Sequence, residues 1–106
     1  MEEPNLDYIK EMTSGDSVFE IKIITILKEE LPVEVMWYKE KLALNNFNEA
    51  AAAVHKLKHK ISILGLESAY ELANVHEEEL KNSKTNNAII FSNILDKMLK
   101  FVAELQ

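Results

Sequence analysis

Two of the chain's three histidines, His55 and His59, stand four residues apart among lysines. A neutral imidazole is a good nucleophile near neutral pH, because its ordinary pKa is about 6.5. A nearby ammonium disfavours the imidazolium and so keeps a ring lone pair available. The same ammonium can screen charge on an incoming phosphoryl group. Phosphoryl transfer needs mainly in-line positioning and electrostatic support. A lone histidine on a rigid helix can therefore supply the nucleophile while a partner supplies the rest. His55, with Lys58 as its charge partner, has the composition of a phosphoryl acceptor. The competing readings are an ordinary solvated histidine and a two-histidine metal face. No carboxylate or third histidine lies close enough in sequence to complete the latter.

The element that must position His55 is a helix. On a wheel of about 100° per residue, Ala50, Ala53, Val54, Leu57, Ile61 and Leu64 fall in one apolar arc roughly opposite His55. His55, Lys58, His59 and Ser62 fall on the other side, with Ala51 and Ala52 near that outer face one turn earlier and Ile63 toward it. The pattern predicts a helix from about Asn48 to Leu64 that buries its back and presents His55 outward. Gly65 fits a left-handed stop just past its end.

The same period predicts the other helices. A short first helix runs from about Asn5 to Met12. A long second one runs from Ser17 toward Leu44, capped by Asp16, with Phe19, Ile23, Ile26 and Leu27 as its apolar stripe. Pro32 predicts a kink or break in it. A fourth spans Glu67–Lys81, with Leu66, Ala69, Ala73, His76 and Leu80 inward; His76 reads as a packed, hydrogen-bonded core histidine. The run Glu77-Glu78-Glu79 reads as a solvated face unless it meets a partner. Lys56, Lys58 and Lys60 alternate around their helix, and all but Lys58 read as solvated. The fifth helix, Ala88–Leu105, buries Phe91, Ile94, Leu95, Met98, Val102 and Leu105. Short connections between long amphipathic helices imply antiparallel neighbours, hence an all-α, antiparallel four-helix bundle with the short first helix as a lid.

The 106 residues read as one domain, 1–106. Gly 2 and Pro 2 are too few for a turn-rich β fold. A formal net charge of -6 argues against nucleic acid, whose phosphates call for Lys and Arg. Cys 0 excludes disulfides and thiolate chemistry. The acidic start lacks the basic-then-apolar pattern of a signal peptide, and no apolar run suits a membrane span. A cytoplasmic monomer, complete as a small protein, is the expectation. No glycine-rich phosphate loop is present, so nucleotide binding is not expected.

The segment His55-Lys56-Leu57-Lys58-His59-Lys60-Ile61-Ser62-Ile63-Leu64-Gly65 resembles the motif of histidine phosphotransfer (HPt) domains: histidine, any residue, an aliphatic, lysine, usually glycine, small residues, then an aliphatic-glycine pair ending the helix. Gly15-Asp16, Pro32, and Ala69, Leu72 and Glu77 fit the flanks, so the resemblance covers nearly the whole chain. It implies a phosphorelay carrier that takes a phosphoryl group on His55 and exchanges it with aspartates of receiver domains. Its implied partners are a response-regulator receiver domain and a hybrid histidine kinase, and Mg²⁺ would belong to the receiver. The chain would be a phosphocarrier with no cofactor of its own, not an enzyme. The expected docking residues are Ala51, Ala52, His59, Ser62 and Ile63, helped by the first half of the second helix. His59 stands where the family usually has glycine, Lys60 replaces a small residue and Val54 the usual alanine. His59 is expected to be a partner-adapted contact. Two alternatives remain: an HPt-fold module that docks a receiver without phosphate turnover, and a helical oligomerisation scaffold, which would show an extended exposed apolar seam.

Overall fold

The computed structural model describes residues 2–105; residues 1 and 106, the ends of the expected domain, lie outside the described residues. The chain is all-helical, in the order α1 (Asp7–Thr13), α2 (Ser17–Ala43), α3 (Phe47–Ile63), α4 (Glu67–Lys81) and α5 (Ala88–Ala103), and no strand occurs among the described residues. It forms a compact globule of 43 × 23 × 18 Å.

Local chemistry sets the helix ends. The Asp16 carboxylate accepts from the N–H groups of Val18 and Phe19 and starts α2 as expected. Asn46 accepts from the N–H of Glu49 and returns a bond to its carboxylate, which starts α3. At the end of α3 the N–H of Gly65 bonds the carbonyl of Ser62, and that of Leu66 bonds Ile61. This double closure needs a left-handed residue, and Gly65 has φ of 75°. Asn45 and Ser83 make the same closures after α2 and α4.

Gly65 is required for a second reason. A Cβ there would lie 2.8 Å from the side chain of Asn5. Asn5 belongs to an N-terminal strap: its N–H bonds the carbonyl of Leu64 at 2.9 Å, and the Glu2 carboxylate accepts from the N–H groups of Ser68 and Ala69. Leu66, at the head of α4, offers no side-chain cap, so Glu2 satisfies orphan donors there from outside the helix. Gly65→Ala combines backbone strain with displacement of the strap. It should destabilise the fold by about 2 kcal/mol, read as a lower urea midpoint at unchanged slope.

α3 packs against α2 and α4, α5 packs against the same two helices, and α1 packs against α2. The buried arc of α3 is the expected one: Ala50, Ala53, Val54, Leu57, Ile61 and Leu64 are all buried, as is every inward residue expected on α4. In α5, Phe91, Leu95, Met98 and Val102 are buried, and Ile94 and Leu105 are half-buried. α2 departs from expectation in two ways. It is one unbroken helix through Pro32. Pro32 is exposed, so the carbonyl that loses its partner can face water. The buried stripe is Ile24, Leu27, Leu31, Val35 and Tyr38, whereas Phe19 and Ile26 are exposed and Ile23 only half-buried.

His76 is a core residue, as expected. It is 0% exposed, its Nε2 lies 2.7 Å from the Tyr38 hydroxyl, and its ring tilts against Phe91. Burial holds the Tyr38 hydroxyl well above its ordinary pKa, so it stays protonated and shares a hydrogen bond with Nε2. The remaining ring nitrogen, Nδ1, has no partner among the described residues. Burial also pushes the His76 pKa down, against an opposing pull from Glu79. The unfolded chain then binds more protons than the folded one below about pH 6.5. Stability should be full above that pH and fall as pH drops toward the lowered value. The loss is bounded at about 1.4 kcal/mol per pH unit for one proton. Denaturation midpoints between about pH 7.5 and 5.5 should fall with pH, no more steeply than this bound. The Tyr38→Phe/His76→Leu pair, which leaves no buried polar group unpaired, should flatten it.

Candidate functional site

His55 sits midway along α3, with its side chain 64% exposed. Its ring is not free. Nδ1 lies 3.1 Å from Glu77 Oε2 and 3.4 Å from Oε1. An ionised carboxylate can only accept, so Nδ1 carries the hydrogen and donates it. The lone pair is thereby assigned to Nε2, the outer nitrogen of an exposed ring.

Glu77 is held in turn. Its side chain, 10% exposed, takes the Lys58 ammonium at 2.8 Å. Lys58 also donates to Asn74 Oδ1 at 3.0 Å, and its ammonium lies 5.8 Å from the centre of the Tyr70 ring. Lys81 reaches Glu77 Oε2 at 3.6 Å from one turn further along α4. Burial works to raise the Glu77 pKa, but the hydrogen bond and charge of Lys58, with His55 and Lys81, hold it below the ordinary value. The carboxylate is therefore ionised at neutral pH.

Lys58 is expected to be a direct charge partner of His55. Lys58 instead meets His55 through Glu77, and its side chain is only 14% exposed. Glu77, expected in a solvated run, is the residue that orients the imidazole. A signal for it existed. Tyr70, Asn74, Glu77 and Lys81 recur at helical spacing beside the inward stripe of α4, so they flank the seam with α3.

The expected docking residues divide. Ala52, His59 and Ser62 are exposed, and Ile63 is half-buried against the core. The His59 ring stands edge-on to that of His55, with centroids 6.5 Å apart. Ala51 is 2% exposed and belongs to the core. On the helical wheel it falls beside Lys58, whose ammonium pairs with Glu77 of α4, so this edge of α3 faces α4 and not solvent. Lys60, expected to be solvated, is 11% exposed and bridges Glu30 at 2.8 Å and Glu34 at 3.1 Å on α2. Burial would lower its pKa, but those two carboxylates raise it overall.

The pairs from Lys60 to Glu30 and Glu34, and from Lys41 to Glu49, set the register of α2 on α3. At that register His55 is level with the second half of α2, not with the first half expected to help docking. That half carries exposed Val33 and Met36 and half-buried Trp37. Among the described residues no helix is long and apolar enough to cross a membrane. No protein-family model, curated protein or solved structure matches the chain.

Proposed function

We propose that this chain is a histidine phosphotransfer domain that relays a phosphoryl group between aspartates of receiver domains through His55. In this reading α2 to α5 form an antiparallel four-helix bundle and α1 is its lid. The cross-helix pairs Lys60–Glu34 against Lys41–Glu49, and Lys39–Asp96 on α5, support that arrangement. The observation that carries the function is the chain from His55 Nδ1 through Glu77 to Lys58. It fixes one tautomer of an exposed imidazole and leaves the outer nitrogen as the nucleophile.

The chemistry follows from that geometry. The Nε2 lone pair attacks the phosphorus of an aspartyl phosphate. The P–N bond forms as the acyl P–O bond breaks, and the aspartate leaves as a carboxylate. The ring, still bearing the Nδ1 hydrogen, gains positive charge as it bonds phosphorus. Glu77 lies against Nδ1 and stabilises that charge. Lys58 keeps Glu77 ionised and in place. The reverse path delivers the group to a second aspartate. The partners are a response-regulator receiver domain and a hybrid histidine kinase, with Mg²⁺ contributed by the receiver. Docking would use Ala52, His59, Ser62 and Ile63 on α3.

The test is direct. The chain is mixed with a panel of phosphorylated receivers, and its intact mass is followed under neutral to alkaline handling, since phosphohistidine is acid-labile. One added phosphoryl group that is lost on acid treatment is the expected result. A chain that binds receivers but never gains mass would sink the relay and leave a docking module.

A further inference from the structure

α2 is apolar on two faces. Ile24, Leu27, Leu31, Val35 and Tyr38 line the core. Directly opposite, Val18, Ile26, Val33, Met36 and Leu44 are 48% to 69% exposed. These five fall on one outward line that follows the helix for about 39 Å at 1.5 Å per residue. Scattered exposed apolars are ordinary; a line of them along a whole helix marks a surface that meets another protein. The charges on the same line are Lys22, Glu29 and Glu40. All three are exposed, and among the described residues none of them is in an ion pair.

The order of these residues is self-complementary. A two-fold axis beside Leu31, with two copies of α2 antiparallel, sets Val18 opposite the partner's Leu44 and Ile26 opposite the partner's Met36. It sets Lys22 opposite the partner's Glu40. Symmetry repeats each contact, so the seam holds apolar pairs with an ion pair toward each end. Glu29 faces the partner's Val33 and is the one position without a complement.

We infer that the outer face of α2 is a homodimer interface, in which two copies of the chain pair antiparallel along this helix. This departs from the monomer expected of the sequence and does not depend on the phosphotransfer reading. The interface is narrow, which places the dimer among weak, reversible associations.

Sedimentation equilibrium of the full chain between about 5 and 500 µM reads the dissociation constant. Lys22→Glu and Glu40→Lys each set two like-charge contacts in the seam. Each should weaken the dimer by about tenfold or more, and the double variant should restore it. Glu29→Leu should tighten it by about tenfold. All these positions are exposed, and circular dichroism checks that each variant is folded. A monomer across the whole range in both the unaltered chain and Glu29→Leu overturns the inference. So does a dimer insensitive to the single reversals, or one that the double variant fails to restore. Those outcomes would leave the face to a different protein or a different register.

Discussion

If His55 is the phosphoryl acceptor, His55→Gln should reduce labelling by a phosphorylated receiver to background while leaving the fold intact. The side chain is 64% exposed and its polar contacts are with Glu77, which Lys58 still pairs. Stability should therefore change by no more than about 0.5 kcal/mol. His59→Gln is the control. His59 is also exposed, but among the described residues its ring pairs with no carboxylate, so no such contact fixes its tautomer. Its removal should change the rate only a few-fold. Labelling that survives His55→Gln and disappears in His59→Gln would move the acceptor to the other ring.

Glu77→Ala should fail twice, in stability and in transfer. Lys58 would keep Asn74 as a neutral partner but lose the carboxylate that balances its charge, at 14% exposure. Removing one member of a fully buried pair costs about 3–5 kcal/mol. Lys58 can extend its ammonium to water, so a cost of about 2 kcal/mol is expected. The His55 ring would lose the acceptor that holds its hydrogen on Nδ1, and the transfer rate should fall by about tenfold to a hundredfold. Glu77→Gln separates the effects. It keeps the shape and one acceptor oxygen, so most stability should return, but a neutral amide cannot offset charge on the ring. Urea denaturation and transfer time courses on the two variants make the measurement. A Gln variant with undiminished transfer would reduce Glu77 to a structural residue. The lowered Glu77 pKa adds a pH condition. The stability that Glu77 contributes is complete above its ordinary value of about 4.3 and disappears only as pH falls through the lower folded value.

The third helix was legible because its apolar arc is narrow enough to have one phase. Every residue assigned to that arc is buried. Ala51 was misplaced because α3 is packed by both α2 and α4, which widens the buried arc beyond its apolar centre. A methyl group gives little hydrophobic signal to mark that edge. α2 was misphased for the opposite reason: with apolar residues on two faces, the period indicates a helix but not which face is inward. Lys60 looked solvated because its two carboxylate partners lie on a different helix, 26 and 30 residues away in sequence. Glu77 was hidden by its neighbours. A run of three glutamates reads as surface, and only the first of them turns into the seam with α3.

The N-terminal strap has a consequence for the order of assembly. The α3–α4 seam is local in sequence, closed by the turn at Gly65. The strap joins Asn5 to Leu64, Glu2 to Ala69 and Glu3 to Lys97. Contacts so distant along the chain are reached only after a long loop is closed, whereas neighbouring helices can dock early. The strap should form after the transition state of folding and open before the rest of the molecule. The first-turn amides of Ser68 and Ala69 would then exchange hydrogen with solvent through local opening of the strap, faster than the amides of Leu57 or Ala73. Weakening the Glu2 anchor would leave the folding rate unchanged and appear almost wholly as faster unfolding.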